Sequence, residues 1–478
     1  MCIRDRLKSS DGIHASTIRY HDGTYYIITT NNVDGRMVNF VVTADDPRGE
    51  WSEARVVEGA PGIDPSLFFD DHGRAWYVGN WIPPDPEFPG QAEIWLQEVD
   101  IEAMRLVGER HYLWRGCCGG VWAEGPHIYK RDGWYYLLIS EGGTSFDHAM
   151  AIAISKEITG PYQSNARNPV LTHRHLSYDY PISGVGHADL VELEDGRWYA
   201  VALGWRLVDG KYGILGRETF LVPVTWEQEP YAWKEERLTW PVFSPATGKV
   251  ELEYPTPFGN TPDQSDYRFR DDFDTRQRSP HWNFRRTPAT EFFEVDTASG
   301  QLRLRLLPTA VGERQQYAFA GIRQRHFEFE ALTELELQVA EDRAEAGMAL
   351  VMNDRSALLF TLSGGGELRL VHNRDGAADV LATAPYDSEN VQLRVTADYL
   401  GLGFYYSANG NDWQTLAEEV DGSVLAPERI GGYNYTGGYV GIYGSGNGTG
   451  EGSATFDYFE YRPTVSRPNH WFHRGKTE

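Results

Sequence analysis

The chain has 478 residues and a formal charge of −25, with 44 Lys and Arg against 69 Asp and Glu. That balance, without any Lys/Arg cluster, excludes a phosphate-binding surface and with it a nucleic-acid partner, and no stretch approaches the roughly 20 apolar residues needed to span a bilayer. Three cysteines, an adjacent Cys117 and Cys118 and a terminal Cys2, supply neither a disulfide framework nor a metal-ligand spacing. Plentiful Gly (50) and Pro (25), 13% aromatic residues and no sustained apolar spacing at i, i+3, i+4 and i+7 predict an all-β chain with a large core.

In chain order, one β-hairpin layout recurs four times. A polar head precedes a short apolar run, a turn glycine follows nine residues after the head, and an aromatic-rich second strand comes next. His14 leads to Gly23 and Tyr25-Tyr26-Ile27-Ile28, and Asp64 leads to Gly73 and Ala75-Trp76-Tyr77-Val78. Glu124 heads Glu124-Gly125-Pro126-His127-Ile128-Tyr129 and leads to Gly133 and Trp134-Tyr135-Tyr136, while His187 leads to Gly196 and Trp198-Tyr199-Ala200-Val201. Turn glycines about 50 to 63 residues apart predict propeller blades rather than a helical solenoid. In a propeller the first strand of each blade lies nearest the axis, so His14, Asp64, Glu124 and His187 are expected to converge on one central pocket. A lone Asp or Glu at a strand start usually caps a turn or faces solvent. A merely solvated residue, however, has no reason to recur at one offset in blade after blade, and two carboxylates facing a shared pocket are what glycoside hydrolysis requires.

Residues 8–258 therefore read as the propeller domain, ending at Tyr254-Pro255-Thr256-Pro257, with Asn260–Asp266 as a polar linker. Residues 259–465 change pattern. Leu302-Arg303-Leu304-Arg305-Leu306, Leu335-Glu336-Leu337-Gln338-Val339 and Val391-Gln392-Leu393-Arg394-Val395 alternate with period 2 between Gly-rich turns, which predicts an antiparallel β-sandwich. The short linker predicts a sandwich that is a fixed part of the protein and not a tethered module.

With Ile63-Asp64-Pro65-Ser66-Leu67-Phe68, Glu124-Gly125-Pro126-His127, Ser140-Glu141-Gly142-Gly143-Thr144, Gly186-His187-Ala188-Asp189-Leu190-Val191 and Leu215-Gly216-Arg217-Glu218-Thr219-Phe220, the chain resembles glycoside hydrolase family 43, in its β-xylosidase branch. Gln324-Arg325-His326-Phe327 and the stretch from Ala454 to Tyr461 resemble the concanavalin-A-like sandwich of that branch. The resemblance implies a five-bladed propeller and an inverting exo-glycosidase that releases xylose or arabinose from hemicellulose oligosaccharides. By motif Glu124 matches the general acid and Asp64 the carboxylate that orients it and tunes its pKa. His187 matches the axial histidine beneath the sugar, Arg217 the arginine that reaches substrate hydroxyls, and His14 a position on the pocket wall. The physics agrees with the first two roles, because a carboxyl beside another carboxylate is harder to ionise and stays protonated for acid catalysis.

The chain departs from the family pattern in the first blade, which carries the family's general base in an Asp-Pro-Ser type of motif. The single Asp-Pro-Ser here is at Asp64, about 60 residues before Glu124. The expectation is therefore four blades with the first one missing, and Met1-Cys2-Ile3-Arg4-Asp5-Arg6 reads as foreign sequence joined to a truncated frame, which would leave this chain inactive. His14 and Ser16 replace the Trp or Tyr and the Pro usual in that blade. The alternative is a carbohydrate-binding protein or inactive hydrolase relative. No cofactor is required. The resemblance admits a structural calcium near His187, although histidine is a poor ligand for so hard a cation. The expected location is cytoplasmic, the expected partner a xylo- or arabino-oligosaccharide, and self-association is left open.

Overall fold

The computed structural model describes residues 7–117, 119–177, 179–230, 237–255, 257–259, 267–286, 291–431 and 435–464. Met1–Arg6, Cys118 and the Asn260–Asp266 linker lie outside them. The chain folds into two compact units that no single cut separates. One comprises Asp11–Trp205 and Glu218–Pro255; the other comprises Thr256–Glu478 together with Met1–Ser10 and Arg206–Arg217.

The first unit is propeller-like. Four antiparallel sheets follow one another along the chain, each made of consecutive strands. They begin with Gly12–Ile13 and Thr17–His21, with Ser66–Phe69, with Glu124–Arg131 and with Ile182–Glu192. The hairpins close where the sequence predicts. Asp22 and Gly23 sit at φ 46° and 85° between paired His21 and Thr24, and Asp132 and Gly133 at φ 50° and 76° between paired Arg131 and Trp134. Positive φ at both central residues defines the type I′ turn, whose twist matches that of the strands, and Asp-Gly tolerates it.

Apolar residues fill each space between successive sheets. Ile28 and Val41 of the first blade meet Leu67, Tyr77 and Trp95 of the second. Val78, Ile94 and Leu96 meet Leu137 and Ile139 of the third, and Leu138, Ile152 and Ile154 meet Ala200 and Val222 of the fourth. The outward faces of the end blades are different. On the first blade Ile18 is 47% and Tyr20 61% exposed; on the fourth Val191, Val201 and Leu221 are 39%, 41% and 36% exposed.

The second unit is a β-sandwich of an eight-stranded and a seven-stranded antiparallel sheet. The period-2 runs lie on strands, with Leu302, Leu304, Leu335, Leu337, Val391, Leu393 and Val395 buried in the inter-sheet core. On the opposite face of the seven-stranded sheet a second, smaller apolar cluster gathers Val311, Tyr317, Phe319, Leu359 and Tyr443. Among the described residues no helix is long and apolar enough to cross a membrane.

Candidate active site

The inner strands of successive blades are tied together beside their heads. Thr17 Oγ1 donates to the Pro65 carbonyl at 3.0 Å, and Ser66 Oγ to the Pro126 carbonyl at 2.6 Å. Farther along the same strands a partly buried polar network joins the first, third and fourth blades. Arg19 binds Asp189 through two donors, at 2.6 Å and 3.1 Å, and its Nη2 lies 2.8 Å from His127 Nδ1. Tyr129 donates its hydroxyl to Asp189 at 2.5 Å and accepts the Leu190 N–H at 2.8 Å.

Protonation in this network follows from contact chemistry. A guanidinium only donates, so His127 Nδ1 must be the bare acceptor nitrogen of a neutral ring. Burial, with the Arg19 charge, pushes His127 down to about 3 despite the opposing pull of Asp189. Burial alone would raise Asp189, but with His127 neutral the Arg19 charge and the hydrogen bonds from Arg19 and Tyr129 outweigh it and hold the carboxyl below its usual range. The result is an ion pair fixed on the inner strands, its carboxylate taking two donors from Arg19 and one from Tyr129.

Glu124 is the first residue of its strand, and His187 lies within Ile182–Glu192 in the left-handed conformation at φ 47°. His187 Nδ1 approaches Glu124 Oε1 to 3.9 Å, with both side chains partly exposed. Gly125, at φ 56°, makes this approach possible, since a Cβ there would stand 2.8 Å from His187 Nε2. The His187 N–H donates to Ser140 Oγ at 2.5 Å, which ties the Ser140–Thr144 motif to the axial strand.

His148, fully buried, joins this pair, and one ligand-capable atom from each of Glu124, His148 and His187 lies within 4.8 Å of the others. Its Nδ1 is 3.1 Å from the Gly184 carbonyl, which can only accept, so Nδ1 carries the proton. Gly186 leaves room for the ring, since a Cβ there would fall 2.5 Å from it. The sequence reading missed His148. It has no counterpart in the four-fold repeat, and its only local signal is its place four residues after Thr144. One carboxylate and two imidazoles suit calcium poorly, because that ion takes six to eight oxygens.

The other predicted residues are placed as follows. Asp64 is 5% exposed, takes φ 51° two residues before its strand, and its charge acts on buried Tyr77. Burial first, and Asp64 second, keep that tyrosine protonated far above its ordinary range. His14 is half-buried, with contacts in its own blade: its N–H donates to the Thr30 carbonyl, and its ring Nε2 is 3.5 Å from Asn32 Nδ2. Arg217 belongs to the sandwich-containing unit, where its Nε donates to the Tyr435 carbonyl at 3.2 Å and its guanidinium carbon lies 4.7 Å from the Tyr435 ring centre. Glu141 is missing from the roles assigned by sequence; buried, it accepts hydrogen bonds from the Cys117 N–H and thiol, while desolvation raises its pKa.

Residues 4–230 match the glycosyl hydrolases of family 43, and residues 270–462 match the β-xylosidase C-terminal concanavalin-A-like domain. The chain is 38% identical to a xylosidase/arabinosidase of Butyrivibrio fibrisolvens over 94% of its length and 86% of the relative's. It is 34% identical to a non-reducing-end α-L-arabinofuranosidase of Bacteroides ovatus over 95% of this chain and 82% of that one. Among solved structures, a family 43 protein from Bacillus licheniformis superposes with a TM-score of 0.83 at 28% identity, covering 95% of this chain and 87% of the other. The chain therefore belongs to glycoside hydrolase family 43, in the branch that carries a C-terminal concanavalin-A-like domain.

Proposed function

We propose that the protein is an inverting exo-glycosidase releasing xylose or arabinose from the ends of hemicellulose oligosaccharides. The observation that carries this reading is the Glu124 carboxylate at the head of an axial strand, 3.9 Å from His187 and in a cluster with buried His148. In this reading Glu124 protonates the departing glycosidic oxygen, and Asp64 tunes and orients it. His187 lies beneath the sugar, Arg217 holds its hydroxyls and His14 borders the pocket. The relatives named xylosidase/arabinosidase and α-L-arabinofuranosidase support a pentose substrate.

The active form has five blades. Ile18 and Tyr20 on the first blade and Val191, Val201 and Leu221 on the fourth leave two apolar faces of the kind that every other interblade space covers. A further blade between them would bury both and would bring the family's base in its Asp-Pro-Ser motif, opposite Glu124 across a water-sized gap.

Glu124→Gln tests the acid role in the chain completed by such a blade. Hydrolysis of xylobiose, whose departing xylose is a poor leaving group, should fall by about 10²-fold or more, while an activated aryl xyloside is largely spared. Equal losses on both substrates would remove Glu124 from that role.

A further inference from the structure

Two chain segments of the sandwich-containing unit lie backbone on backbone. A Cβ on Gly216 would fall 2.3 Å from the Gly437 nitrogen, and one on Gly437 would fall 2.1 Å from the Leu215 carbonyl oxygen. The Gly438 N–H reaches the Ile214 carbonyl at 3.4 Å. One side chain bridges the crossing: Arg323, at the end of strand Ala318–Arg323, donates from Nη2 to the Leu215 carbonyl at 2.6 Å and from Nη1 to the Gly437 carbonyl at 3.2 Å. Val208, Ile214 and Leu215 seal one side of the crossing against Phe327 and Ala426, and the Gly213 N–H donates to Glu428 Oε2 at 3.1 Å.

The placement of this bridge is symmetrical. Arg217 stands two residues after Leu215 and Tyr435 two residues before Gly437, and those two meet through the hydrogen bond and ring contact already described. Fixing Leu215 to Gly437 therefore fixes the bases of both side chains at once. A planar fork with several donors can satisfy two carbonyls from different segments simultaneously, whereas a lysine ammonium on its flexible stem is not held in that plane.

We propose that Arg323 is a positioning residue for sugar recognition, setting Arg217 and Tyr435 in register without touching substrate itself. This rests on the reading of Arg217 as the arginine that binds substrate hydroxyls. The mechanism makes Arg323 act through Arg217, which predicts a distinctive pattern of non-additivity.

The test is the affinity of the full chain for xylose and for arabinose by calorimetry, which needs no turnover, in wild type, Arg217→Met, Arg323→Met, Arg323→Lys and the Arg217→Met/Arg323→Met double variant. Each single Met variant is expected to weaken pentose binding about tenfold or more, the scale of a lost hydrogen bond from a charged donor. Arg323→Lys should recover only part of that loss, and the double variant should bind no more weakly than Arg217→Met alone. Circular dichroism and melting temperature check that each variant is folded, and if Arg323→Met is not, Arg323→Lys carries the comparison. A normal affinity in Arg217→Met, or no pentose binding by wild type, overturns the functional reading beneath the inference. Loss in Arg217→Met with normal affinity in the Arg323 variants, or additive losses in the double variant, overturns the inference alone.

Discussion

His127→Asn removes one titrating group from the axial network while leaving an acceptor for Arg19, because the Asn carbonyl oxygen takes the place of the ring Nδ1. In the native chain His127 stays neutral down to about 3, chiefly through burial and with a cation 2.8 Å from its bare nitrogen. In the unfolded chain it titrates near 6.5. Its folded pKa is thus depressed, so between those values the unfolded state binds a proton that the native state does not. Stability from this residue is fully present above about pH 6.5 and is lost as pH falls, at about 1.4 kcal/mol per unit. From pH 7 to pH 5 the loss comes to about 2 kcal/mol. Asp189, with its depressed pKa, loses its contribution only below the ordinary carboxylate range near 4, outside that interval. Urea unfolding of wild type and His127→Asn at both pH values, followed by tryptophan fluorescence, should show wild type losing about 2 kcal/mol more than the variant. The packing cost of the substitution is common to both pH values and cancels in the difference. Equal losses in the two proteins would refute a neutral native His127.

Gly125→Ala should cost about 1–2 kcal/mol in backbone strain at φ 56° and also displace the His187 ring, reducing pentose affinity. Gly133→Ala is the control: it has φ 76° with nothing within 4 Å, so thermal unfolding should shift similarly while calorimetric affinity stays at the wild-type value. Separating residues 1–258 from 259–478 cuts Val208, Ile214 and Leu215 away from Phe327 and Ala426, so the sandwich fragment should melt below its transition in the intact chain. Fragments that melt as they do in the whole protein would show that the Arg206–Arg217 excursion adds nothing.

Much of the architecture is written locally. Nine residues from each head to its turn glycine, Asp-Gly pairs at positive φ, and Leu-Arg-Leu-Arg-Leu alternation each specify a hairpin or strand face by interactions within a few residues, and those elements stand where that chemistry puts them. The recurrence of the heads further marked Glu124 and His187 as equivalent positions on axial strands, and the structure brings them to 3.9 Å. Other features were settled by closure of the sheets. Arg19 and Asp189 are 170 residues apart, His148 has no repeat partner, and Arg217 rests on Tyr435 from the far side of the chain. No periodicity encodes such contacts. A buried charge or imidazole must find its partner among whatever residues the packed blades and crossing loops bring within about 3 Å, and only the tertiary fold decides which those are.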